Sequence, residues 1–224
     1  SLVLLTEPTA DTPMEFWIYR GEAGMTFQSP TKIASASVGS SWSYFHSADF
    51  DGDGRQDVAL VLHTGGGSTA TNTLQIYYGN GDGTFTQKSF PMTTGHPKSV
   101  HDIADDGKLD FYVYDGNFPG GLGVDILLAQ QNRTYVQSKL SFTSGNASYF
   151  TDVGDFNGDG KQDFYAGVLS QAIYYGNGSQ NYTSASAYVR LPYNAMNSPK
   201  TLVADLNGDG NTDILSMENR YGGA

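Results

Sequence analysis

An acidic nine-residue loop recurs four times, short apolar strands follow each copy, and turn formers separate the strands; together these predict an all-β fold, a β-propeller of four-stranded antiparallel blades. The first residues of the loops, Asp49, Asp102, Asp155 and Asp205, lie 53, 53 and 50 residues apart. A period of that size belongs to a repeat architecture and sets the frame for every local assignment. The repeat units are 1–48, 49–101, 102–154 and 155–204, with a partial unit at 205–224. They are expected to form a single propeller domain or segment: four blades and the start of a fifth, cut from a larger ring of six to seven blades.

The first loop is Asp49-Phe50-Asp51-Gly52-Asp53-Gly54-Arg55-Gln56-Asp57. Carboxylates stand at positions 1, 3, 5 and 9, and glycines at positions 4 and 6 let the backbone curl so that the acids converge. Four carboxylates this close repel one another, and a hard cation turns that repulsion into coordination by oxygen. Asp155, Asn157, Asp159 and Asp163 repeat the pattern, as do Asp205, Asn207, Asp209 and Asp213; Asn at position 3 still offers a carbonyl oxygen. The second copy keeps Asp102, Asp106 and Asp110 but has Ala104 at position 3. It should bind a cation more weakly, or recruit water or Asp105.

Strands are read from apolar runs bounded by turns. Tyr44 to Ala48 enters the first loop, and Val58 to Leu62, Leu74 to Tyr78 and Thr84 to Thr86 follow it. The second loop is followed by Phe111 to Tyr114, Asp125 to Leu128 and Thr134 to Val136. After the third come Phe164 to Gly167, Ala172 to Tyr175 and Asn181 to Thr183. Leu2 to Leu5 and Phe16 to Gly21 read as the strands that follow a loop in the other units, and Ile214 to Met217 opens a further unit. Tyr77-Tyr78-Gly79-Asn80-Gly81 and Tyr174-Tyr175-Gly176-Asn177-Gly178 are the clearest internal match, and their Asn-Gly pairs are hairpin chemistry.

The formal charge is −11, from 12 Lys and Arg against 23 Asp and Glu. Thirteen of those acids are loop positions, so the acidity belongs to the loops rather than to a solvating tail. No basic patch of the kind that neutralises phosphates is present, which disfavours a nucleic-acid partner. Cysteine is absent, so disulfides, thiolate metal sites and thiol nucleophiles are excluded. No apolar run reaches the roughly 18 residues of a membrane span, so no membrane insertion is expected in this segment.

The pattern Asp-x-Asp/Asn-x-Asp-Gly-x-x-Asp, with Tyr-Tyr-Gly-Asn-Gly-Asp-Gly-Thr-Phe further on, resembles the FG-GAP or VCBS repeats of integrin α-subunit propellers and of many secreted proteins. The resemblance implies Ca²⁺, with side-chain oxygens from positions 1, 3, 5 and 9 and the backbone carbonyl of position 7. The implied ligands are Asp49, Asp51, Asp53, Arg55 and Asp57; then Asp155, Asn157, Asp159, Lys161 and Asp163; then Asp205, Asn207, Asp209, Asn211 and Asp213. The weaker site keeps Asp102, Asp106, Lys108 and Asp110. At position 7 only the main chain is expected to face the ion. The resemblance also implies an extracellular, secreted or cell-surface setting and partners that are extracellular proteins or glycans.

Catalytic signatures are missing: there is no Gly-x-Ser-x-Gly, no His-Glu-x-x-His and no Gly-Lys-Ser/Thr loop, and His46, His63, His96 and His101 share no spacing. The expected function is a calcium-stabilised, non-catalytic binding or adhesion scaffold. The alternatives are a carbohydrate-binding lectin that stacks sugars on Trp42, Tyr44, Tyr77, Tyr78, Tyr174 and Tyr175, or the propeller portion of a polysaccharide-active enzyme. Core packing is the competing role for those aromatics. Sequons at Asn132, Asn146, Asn177 and Asn181 are candidate glycan acceptors in a secreted chain.

Overall fold

A computed structural model of the chain describes residues 2–5, 13–24, 26–38, 40–65, 71–92, 96–114, 123–142, 150–166, 172–178, 181–184 and 200–217. The described elements are all β-strands, in two compact units: Ser1–Pro97 with Gln131–Thr134, and Lys98–Gln130 with Tyr135–Ala224.

In the first unit, β1 (Leu2–Leu5), β2 (Glu15–Tyr19) and β5 (Thr31–Ser35) form an antiparallel three-stranded sheet. A short arm, β3 (Gly21–Glu22) paired with β4 (Thr26–Phe27), lies between β2 and β5 in sequence. Next come β6 (Ser41–Ala48), β7 (Asp57–Thr64), β8 (Thr71–Gly79) and β9 (Phe85–Met92), antiparallel and adjacent in chain order. This is a four-stranded blade with the first acidic loop joining its first two strands. The hydrogen-bonded unit therefore begins with the strand that enters the loop, one strand earlier than a loop-to-loop repeat.

The inner strands explain why the sequence shows continuous apolar runs rather than alternation. Val58, Ala59, Leu60 and Val61 of β7 and Leu74, Ile76, Tyr77 and Tyr78 of β8 are all buried, so both faces of these strands are covered. Phe16 of β2 packs with Val58, Leu60 and Tyr77, its ring edge-on to Tyr77 at 5.2 Å between centroids. Each such fully buried side chain contributes roughly 1.5–3 kcal/mol.

The second unit repeats the scheme. β10 (His96–His101), β11 (Asp110–Tyr114), β12 (Gly123–Ala129) and β13 (Tyr135–Phe142) are successive neighbours around the second loop. Around the third loop, β14 (Phe150–Gly154), β15 (Asp163–Ala166), β16 (Ala172–Gly176) and β17 (Asn181–Ser184) pair antiparallel in order. The two groups join edge to edge through a short parallel contact, Ser141 with Asn181 and Phe142 with Tyr182, which makes one eight-stranded sheet. β18 (Lys200–Ala204) and β19 (Asp213–Met217) form an antiparallel pair around the fourth loop. Phe111, Tyr112, Val113, Ile126, Phe164 and Tyr165 fill this unit's core, with Tyr112 edge-on to Phe164.

The expected all-β blades are thus present in both units. The aromatics divide as core packing requires: Tyr77, Tyr78 and Tyr174 are buried, which removes them as sugar platforms, while Tyr44 and Tyr175 are half-buried. The side chain of Trp42, the residue Asn146 and the end of the expected third-unit strand at Gly167 lie outside the described residues.

Candidate metal centre

Three of the loops fold by one set of hydrogen bonds, and the second keeps part of it. At position 1, Asp49 Oδ1 accepts from the N–H groups of Gly52 and Asp53 and Oδ2 from Gly54. Asp155 accepts from Gly158, Asp159 and Gly160, and Asp205 from Gly208, Asp209 and Gly210. Asp102 keeps two of these bonds, from Asp106 and Gly107. At position 3, Asp51, Asn157 and Asn207 each accept from the position-5 N–H; Ala104 has no oxygen with which to do so. Burial raises Asp49, but the backbone donors outweigh it and hold the carboxyl below its ordinary range.

The curl needs a left-handed residue at position 4. Gly52, Gly158 and Gly208 supply it at φ of 75°, 74° and 78°, and Asp105 adopts the same conformation at 53°. Aspartate tolerates this region better than most side chains, so the second loop keeps its shape despite its altered sequence. Burial and the nearby Asp102 raise the Asp105 carboxyl, while the backbone N–H of Gln162 in the third loop, which it accepts, pulls it back down. A second link of the same kind follows, since Thr212 N–H donates to the Asp155 carbonyl at 2.7 Å. Position 8 of the third and fourth loops is therefore tied to the loop before it.

Position 9 has a role that the sequence does not reveal. Asp57 is fully buried; its Oδ2 accepts from Phe50 N–H and its Oδ1 from Gly79 N–H, both within 2.9 Å. Asp110 binds the N–H groups of Ile103, Ala104 and Ala129, and Asp163 those of Phe156 and Gly176. Each carboxylate staples its loop to the third strand of the blade. Burial pushes all three up to about 6 against the pull of these N–H donors, and neighbouring acids add to the rise. In the fourth loop Asp213 receives Leu206 N–H.

At position 7 the side chain reaches the position-5 carboxylate. Arg55 pairs with Asp53 at 2.6 Å, Lys108 with Asp106, and Lys161 with Asp159 at 3.5 Å, while Asn211 donates to Asp209. Arg133 adds a second guanidinium to the first loop, with Nε 2.5 Å from Asp51 Oδ2 and Nη2 3.5 Å from Asp53 Oδ2.

The donor chemistry fits a hard cation. One oxygen each from Asp49, Asp51 and Asp57 lies within 4.8 Å of the others, and Asp51 Oδ2 is buried without a well-aligned hydrogen bond. Asp53 is not part of this cluster and pairs with Arg55 and Arg133 instead; the third and fourth loops share the backbone curl and its hydrogen bonds. Among the described residues, His46 is half-buried on β6, and His63 Nδ1 shares a 2.6 Å hydrogen bond with Asn72. Asn132 and Asn177 of the sequons are exposed.

Residues 3–60, which run from β1 through the first loop into β7, match the family model of the FG-GAP-like repeat. This stretch is a repeat of the FG-GAP type. No curated protein and no solved structure matches the chain. The second, third and fourth loops lie beyond the matched FG-GAP residues, yet they reproduce the first loop's spacing and most of its hydrogen bonds. A scaffold of propeller-like blades accounts for the FG-GAP repeat and the sheets together. Among the described residues no helix is long and apolar enough to cross a membrane.

Proposed function

We propose that the chain is a calcium-stabilised extracellular scaffold whose blades present loops to a protein or glycan partner, and that its ions are structural. The reading rests chiefly on one observation: Asp49, Asp51 and Asp57 bring carboxylate oxygens together inside a loop whose backbone N–H groups already fix each acid. A polar turn has no need of three converging charges, whereas an oxygen-seeking cation does. The FG-GAP repeat over residues 3–60 supports the same reading.

Each loop joins the first two strands of its blade, and its position-9 staple reaches the third. An ion held by positions 1, 3, 5 and 9 and by the position-7 carbonyl would lock that corner and add to the stability of the folded state by mass action. Affinities of about 10⁻⁴ to 10⁻³ M, usual for extracellular modules, would fill the sites outside cells. The test is a thermal melt in millimolar CaCl₂ against EDTA, with MgCl₂ as the control. Calcium should raise the midpoint and magnesium should not, since Mg²⁺ sheds its water reluctantly. Identical melts in CaCl₂ and EDTA would refute the proposal.

A further inference from the structure

The first loop has the richest set of acids and is also the one most heavily countered by cations. Arg133 Nε meets Asp51 Oδ2 at 2.5 Å, Nη2 lies 3.5 Å from Asp53 Oδ2, and the guanidinium carbon stands 4.6 Å from the centroid of the Tyr78 ring. Arg55 Nη1 pairs with the same Asp53 oxygen at 2.6 Å. The Asp51 side chain is only 8% exposed, so its charge meets Arg133 where water screens poorly. The segment that presents Arg133 is itself fixed. Asn132 and Arg133 both have left-handed backbones, φ 61° and 56°, and Lys88 Nζ bonds the carbonyls of both. Among the described residues the third loop's ion pair is the longer Lys161 contact, and at the fourth the position-7 residue is the neutral Asn211.

We propose that Arg133 is the resident counter-ion of the first loop: it occupies the position-3 carboxylate that a divalent ion would need, holds the loop closed without metal, and sets its metal affinity below that of the third and fourth loops. The proposal rests on the calcium reading above for its competition and on the ion pair alone for its metal-free half. Counting carboxylates ranks the first loop strongest. The placement of Arg133 reverses that order. Asp51 Oδ2 has charge contact without good hydrogen-bond alignment, so the guanidinium can be displaced at high ion concentration.

The experiment uses the whole chain, with Tb³⁺ as a luminescent stand-in for Ca²⁺. Emission lost in Asp49→Asn is assigned to the first loop. Arg133→Gln should raise the Tb³⁺ affinity of that component about tenfold, as expected on removing a close, poorly screened charge, with Arg133→Lys intermediate. In EDTA, Arg133→Gln should lower the melting midpoint, and a cycle with Asp51→Asn should be non-additive. Additive effects in that cycle, or an unchanged or weakened first-loop affinity in Arg133→Gln, would overturn the proposal. If the third and fourth loops also bind no Tb³⁺, the calcium reading fails and takes the competition with it. If they bind while the first loop ignores Arg133, only the competition fails. Should Arg133→Gln not fold, the Arg133→Lys affinity and the Asp51→Asn melt carry the same comparison.

Discussion

Asp57 accepts two backbone N–H bonds in a fully buried position, so its effect on stability can be separated from any ion. Asp57→Asn replaces one acceptor oxygen with an NH₂ group that faces a backbone donor, leaving that N–H unsatisfied. In EDTA it should cost about 1–3 kcal/mol in chemical denaturation. Asp53→Asn, on an exposed partner of Arg55, should cost well under 1 kcal/mol under the same conditions. Equal losses would mean that position 9 is a ligand and nothing more. The sign of the pH dependence follows from the same burial. Asp57, Asp110 and Asp163 titrate near 6 in the folded chain, above the roughly 3.9 of an unfolded aspartate. Between those values the folded state holds more protons, so these groups favour folding below about pH 4, and their contribution is lost as pH rises through 6. In metal-free buffer the midpoint should therefore climb as pH is lowered from 7 to 5. A flat or falling profile would contradict it.

At the scale of the element, the strands were legible and their irregularities were not. Val58 to Leu62 and Leu74 to Tyr78 announce buried strands because apolar β-formers run on without a break. The register shift between Ser43 and Phe45 in β6, with Tyr44 at φ 55°, leaves no mark in sequence, since nothing about tyrosine favours a left-handed backbone. The loops were legible as spacing, but the position-9 staple was hidden because its partner, Gly79 N–H, is 22 residues away. That staple also explains the glycine of Tyr-Tyr-Gly. A Cβ at Gly79 would lie 2.7 Å from the Gln56 carbonyl oxygen, so Gly79→Ala should cost about 1–3 kcal/mol as backbone is pushed apart. Gly52 makes the opposite control. Its Cβ would meet nothing within 4 Å, and only its φ of 75° opposes a side chain. Gly52→Ala should cost about 1–2 kcal/mol, and Gly52→Asn distinctly less because asparagine enters this region readily. A Gly52→Ala protein as stable as wild type in urea would mean that the loop does not hold its curl in solution.

For the whole molecule, the repeat period foretold the blades but not how the chain distributes them. The first loop sits in one compact unit and the other three in the second. Within that second unit the Asp105 link to Gln162 and the Asp155 link to Thr212 chain the loops together through backbone groups that carry no sequence signature. Loop contributions there should consequently be unequal and coupled. At several-fold saturation each filled site adds roughly 1 kcal/mol, and 1 kcal/mol moves the midpoint of a chain this size by about 2–4 °C. Asp155→Asn and Asp205→Asn should each remove about that much of the calcium-dependent rise. Asp102→Asn should remove less, because Ala104 leaves its site without a position-3 oxygen. The double variant Asp155→Asn/Asp205→Asn should fall short of the sum if the backbone link between Asp155 and Thr212 transmits order from one loop to the next. Melts in saturating calcium and in EDTA give each difference directly. A loss in Asp102→Asn as large as in Asp155→Asn would show that the second loop completes its coordination sphere with oxygens other than a position-3 side chain.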